Sequence, residues 1–413
     1  MTSRRFRAPL AAIFLAATAS VALLASPALA ADTPHLTRSV NNALAEAQKA
    51  ANKGDLNAAK EAVDKARGVD DRTDYDNYMI NEVALAVAIK MNDMAAADAA
   101  AEAAADSPAL PDDQKANALR TALILANNQK HFDKAIAYAK QLEAMNSTDP
   151  VVQTAITQAY YLGKDYPNAL NYTQKRIAAI EASGKKPDRQ TLQILLDIQV
   201  AQQDEDGAEK TLEQLVAQFN DPKDWTQMID VAMSSKGLRD VEVIWLGRLL
   251  FQTGATASKD DASLVGSTAS RLTFFGDAEV AQQHGGADFP DPTARAAADK
   301  KTIQAQIKAG EKQGGQYNAK LAEALYSYGM YPEAEAAAKL AMQKGGAKDP
   351  TEPPMVLGQS LVAEGKYDDA IAAFNQVQGG GPATARITRL WVDFANIKKN
   401  PPVPETAAAA PAK

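Results

Sequence analysis

Leu357-Gly358-x-x-Leu361-x-x-x-Gly365-x-Tyr367-x-x-Ala370-x-x-x-Phe374 stands 36 residues after Leu321-Ala322-x-x-Leu325-x-x-x-Gly329-x-Tyr331-x-x-Ala334-x-x-x-Ala338. Apolar residues three and four apart lie on one face of a helix, and a glycine that interrupts them divides two helices at a turn. Gly329 and Gly365 are expected to end a first helix in left-handed backbone, which glycine adopts without a Cβ penalty. Ala334 and Ala370, early in the second helix, are expected where two helices approach too closely for a larger side chain.

Carried back along the chain, the small-residue anchor falls at Ala59, Ala97, Ala135, Ala169, Ala208, Val241, Ala278, Ala334 and Ala370, with spacings of 38, 38, 34, 39, 33, 37, 56 and 36. The long interval reads as one repeat plus an insertion of about twenty residues. Gly54-Asp55-Leu56, Lys130-His131-Phe132 and Lys164-Asp165-Tyr166 each separate two amphipathic runs, and Asp149-Pro150 and Asp221-Pro222 punctuate unit boundaries. The units at Val241 and Ala278 fit least well, the first because a β-branched residue replaces the small one, although Trp225 and Trp245 supply large packing residues nearby.

The pattern resembles the tetratricopeptide repeat, in which Leu-Gly-x-x-Tyr, Ala-x-x-x-Phe and a closing Pro recur about every 34 residues. The resemblance implies an all-α fold, a right-handed α-α superhelix of helical hairpins. It covers nearly all of the chain after residue 30. The expected organisation is N-terminal repeats over 31–220, degenerate repeats over 221–290, an inserted helix or arm over 291–316, C-terminal repeats over 317–398 and a disordered tail over 399–413. A boundary between lobes is expected at the breaker cluster Gly285-Gly286 to Pro290-Asp291-Pro292, and a polar helix over 293–312, with Ile303 and Ile307 on one face, accounts for the long interval.

Arg4, Arg5 and Arg7, an uncharged apolar run from Leu10 to Leu24, and Ala28-Leu29-Ala30 after Pro27 make the three parts of a signal peptide over 1–30. An uncleaved anchor is the alternative reading, since Ala8 to Ala25 spans 18 residues, just above the lower length of about 17 for a membrane span. Export to the periplasm is the expectation, with no integral span after cleavage. Removing residues 1–30 takes away three arginines and no acid, so the net charge moves from −7 to −10. An acidic body without a basic stretch is unsuited to nucleic acid and to anionic membrane surfaces. With no cysteine, neither a disulfide nor a soft-metal site can form, and stability must come from packing.

Chemistry is sparse. His35, His131 and His284 are far apart and lack paired-ligand spacing, and no dinucleotide, P-loop or nucleophile-elbow motif occurs. Ser183-Gly184-Lys185-Lys186 fits Ser-x-x-Lys, but no Ser-Asp-Asn or Lys-Thr-Gly accompanies it. A soluble lytic transglycosylase would need a Glu-Ser pair, which is absent. The expectation is therefore a protein that is not an enzyme and carries no cofactor or metal. By resemblance, the first helix of each hairpin lines a concave groove that binds protein or peptide. Lys90, Arg120, Asn127, Asn128, Gln158, Tyr161, Arg271, Glu323 and Tyr326 are the groove candidates, because amides pair with a peptide backbone, arginine with carboxylates, and tyrosine gives rigid contact area. The leading reading is an interaction scaffold or adaptor in the bacterial cell envelope; the alternative is a peptidoglycan- or polysaccharide-associated accessory of an envelope enzyme.

Overall fold

In the computed structural model, residues 35–402 are described; among them are twenty helices and no strand. The signal-peptide reading of 1–30, and the tail reading from residue 403 onward, lie outside the described residues. The last helix ends at Lys399, where the tail was expected to begin. Among the described residues no helix is long and apolar enough to cross a membrane.

The chain forms two compact units that divide between Thr191 and Leu192, within α9 (Arg189–Ala201). The N-terminal unit holds α1 (Arg38–Asn52), α2 (Leu56–Arg67), α3 (Asp74–Lys90), α4 (Met94–Ala105), α5 (Lys115–Gln129), α6 (Phe132–Ala144), α7 (Pro150–Leu162) and α8 (Tyr166–Ala182). Each of these packs on the next, and first helices also touch across hairpins, as α1 does α3 and α5 does α7.

The turn inside each hairpin has one construction. Gly54, Asn92, Lys130, Lys164, Gln203, Thr273, Gly329 and Gly365 have φ between +57° and +81°, and each lies five residues before its anchor. The next residue's N–H returns to the first helix, as from Asp55 to the Ala50 carbonyl at 3.0 Å and from Lys366 to Leu361 at 2.8 Å, satisfying carbonyls that the helix end leaves open. Asp55, Asp93, Asp165 and Asp204 then cap the second helix by accepting a first-turn N–H. Ala59, Ala97, Ala135, Ala169, Ala208, Ala278, Ala334 and Ala370 are the fourth residues of their helices, and each is 0% exposed. This shared register makes the chain a repeat of helical hairpins.

The C-terminal unit continues with α10 (Glu205–Phe219), α11 (Pro222–Met233), α12 (Asp240–Gln252), α13 (Lys259–Leu272), α14 (Phe275–Gln283), α15 (Thr293–Gly310), α16 (Gly315–Ser327), α17 (Tyr331–Lys344), α18 (Glu352–Ala363), α19 (Tyr367–Phe374) and α20 (Gly381–Lys399). The breaker cluster at 285–292 is not where the units divide, because α14, α15 and α16 pack on one another across it. The expected inserted helix is α15, which also touches α17 and so is a packed spacer rather than a projecting arm.

The hairpin at Val241 departs from the pattern. Its left-handed residue is Gly237 and α12 begins at Asp240, one residue late, so the anchor position passes to Val243. Close approach is provided instead by Gly247, where a Cβ would come within 2.6 Å of the Val265 methyls. From Val241 to Leu250 every residue of α12 is buried, on all faces. A helix buried all round is a central element, not a layer of a stack.

Candidate functional site

What surrounds α12 follows from the side chains that meet it. Arg248, fully buried, donates through Nη2 to the Asp277 carboxylate of α14 at 2.8 Å and through Nη1 to Gln359 Oε1 of α18, also at 2.8 Å. Nη1 also donates to the Glu323 carboxylate of α16. The guanidinium lies 4.1 Å from the Tyr326 ring centroid, and Gln252 donates to the Tyr326 hydroxyl at 2.7 Å. Trp245 donates its indole N–H to Glu323, and Trp391 of α20 donates its own to the Trp245 carbonyl at 3.1 Å. Burial works against charge on Arg248, yet the Asp277 and Glu323 carboxylates outweigh it and hold its pKa above the ordinary value.

Glu323 lies eleven residues before its anchor Ala334, and Gln359 eleven before Ala370. These are inner-face positions of successive first helices, both 0% exposed. In the C-terminal unit that face is therefore occupied by the unit's own α12. The arrangement is a structural core of charge-assisted hydrogen bonds, since Asp277, Glu323 and the Gln359 carbonyl oxygen all accept from Arg248 inside the fold.

In the N-terminal unit the same register is buried at Ile124 but half-open at Gln158. Gln158 lies eleven residues and Tyr161 eight before Ala169, and both are half-buried. Arg120, on α5, is 36% exposed and pairs with Asp149 at 3.5 Å. Asn128 is half-buried and Lys90 is exposed. The Tyr161 ring lies 6.0 Å from that of Tyr166, a tilted pair at the hairpin turn.

Four of the groove candidates require correction or qualification. Glu323 and Tyr326 do lie on the inner face, but they are buried against α12 and have nothing to offer a partner. Asn127 is buried and donates to the Ala155 carbonyl of α7 at 3.0 Å, tying one first helix to the next. Arg271 is exposed, but its guanidinium makes a two-point pair with Asp240 of α12, at 3.0 and 2.7 Å. Arg248, Gln359 and Asp277, none of them singled out in the sequence, are the residues that join Glu323 and Tyr326 into one cluster. A lone arginine in the otherwise apolar run Val243-Ile244-Trp245-Leu246-Gly247 was the available signal.

No family model and no curated protein matches this chain. Among solved structures it is similar to a tetratricopeptide repeat protein from Parabacteroides merdae, at 11% identity over 86% of this chain and 99% of that one, with a TM-score of 0.33.

Proposed function

We propose that this protein is a non-enzymatic interaction scaffold of the bacterial cell envelope, holding a peptide or protein partner on the first helices of its N-terminal unit. The observation that carries the reading is the contrast in one register: Gln158 is half-buried on α7, whereas Glu323, equally far from its anchor, is sealed inside the C-terminal unit. Asn128 and Gln158 offer two amides, Tyr161 a half-buried ring, and Arg120 a guanidinium shared with Asp149, which suit the backbone groups, apolar side chains and carboxylates of an extended peptide. The signal-like N-terminus supports an envelope location. The test is affinity capture from envelope extract with wild-type protein and the Arg120→Glu/Gln158→Ala variant. Specific loss of one stoichiometric protein from the variant supports the reading; identical captures, or retention on wall polymer alone, reject it.

A further inference from the structure

The inserted helix α15 lines a recess with its neighbours α14 and α16. Between α15, the α13–α14 turn and the start of α16 lies a cleft of about 810 Å3, within the size range of small-molecule sites. It is a bounded recess on the C-terminal unit, separate from the face proposed above. Its walls mix aromatic rings, Phe275 and Tyr317, with three glutamines: Gln306, whose NH2 is given to Asp299 and Thr302, Gln316, whose oxygen accepts from the Lys348 N–H, and the exposed Gln313.

The two charged groups at the cleft are already engaged. Asp299 accepts from Gln306 at 2.9 Å and from the Tyr328 hydroxyl at 2.7 Å, and Lys320 pairs with Glu352 at 2.7 Å. Asp299, bonded only by neutral donors, keeps a negative charge that disfavours anions and, like an amide oxygen, accepts from hydroxyls. Amides both donate and accept, and half-buried rings present apolar area beside them. That combination matches a ligand that is neutral, rich in hydroxyls and apolar on its C–H face.

We infer that the cleft between α15, the α13–α14 turn and α16 binds a neutral saccharide unit of one or two sugars, seated on Tyr317 and Phe275 and hydrogen-bonded by the glutamine amides.

The experiment is saturation-transfer NMR on the full chain with N,N′-diacetylchitobiose, cellobiose and maltose at millimolar concentration, and with inorganic phosphate tested as a competitor. Transfer to at least one disaccharide, weakened tenfold or more by Gln313→Ala and by Tyr317→Ala and indifferent to phosphate, is the expected result. Gln313 is exposed, so its variant folds even where Tyr317→Ala, which loses a bond to the Gln306 carbonyl, does not. Absence of transfer from all three sugars, transfer unchanged in Gln313→Ala, or displacement by phosphate overturns the assignment.

Discussion

Trp245 on α12 donates its indole N–H to Glu323 on α16 across 3.0 Å, and both side chains are fully buried. The bond joins positions 78 residues apart and fixes a helix of the sixth hairpin against the inner face of later ones. With Arg248 beside it, the pair explains why that face is closed to partners.

Arg248→Met leaves Asp277 and Glu323 as buried carboxylates without a counter-charge. The expected cost is about 3–5 kcal/mol of unfolding free energy, read from urea denaturation. The triple variant Arg248→Met/Asp277→Leu/Glu323→Leu is expected to recover most of it, because a buried ionic cluster is weak net stabilisation once all its members are replaced. Equal stability of the single variant and the wild type refutes the core role given to Arg248.

Ala370 is 0% exposed at the fourth position of α19. Ala370→Leu is expected to overpack the hairpin and lower stability by about 1–3 kcal/mol, a loss visible in the thermal midpoint. An unchanged midpoint removes the anchor from its assigned place.

Thr273 holds left-handed backbone at φ +64°, a conformation costly for a β-branched residue. Thr273→Gly relieves that cost and is expected to stabilise the protein by about 0.5–1 kcal/mol despite the greater freedom of glycine in the unfolded chain. A lower thermal midpoint means that the threonine side chain contributes more than its backbone costs.

Burial, and next the Glu213 carboxylate, push Asp393 of α20 up to about 6, with Arg389 opposing. The folded state thus binds this proton more tightly than the unfolded chain, whose carboxylate titrates near 4. The charged form weakens the fold above pH 6, and the penalty fades as pH falls from 6 to 4. Asp393→Asn is expected to raise stability by about 1–3 kcal/mol at pH 7.5 and to change nothing below pH 4. Calorimetry across that range checks both ends, and a variant less stable at pH 7.5 contradicts the assignment.

Much of the fold was legible because each hairpin repeats a local rule. A left-handed residue, a capped helix start and an alanine that lets helices approach are properties of short segments, so Ala59 or Ala334 could be placed without knowing any distant contact. Register placed Glu323 and Tyr326 on the face of α16 that meets α12. What it could not supply was the closure of that face in the C-terminal unit. Closure depends on pairings such as Arg248 with Gln359 and Trp391 with Trp245, separated by 111 and 146 residues. Periodicity names the face of a helix, while the path of the whole unit decides what covers it. The division inside α9 was hidden for the same reason: Gly184 and Pro187 before it look like any turn between hairpins, and the stronger breakers at 285–292 lie within a packed region.

The most direct test uses the absence of native cysteine. Gln158→Cys and Gln359→Cys, made separately, place a thiol in the same register of the two units, and maleimide labelling of the native protein reports access without background. The account predicts rapid labelling at position 158 and labelling at position 359 only after urea unfolding. Equal labelling of the two native variants, or faster reaction at 359, contradicts an inner face that is open in the N-terminal unit and filled in the C-terminal one.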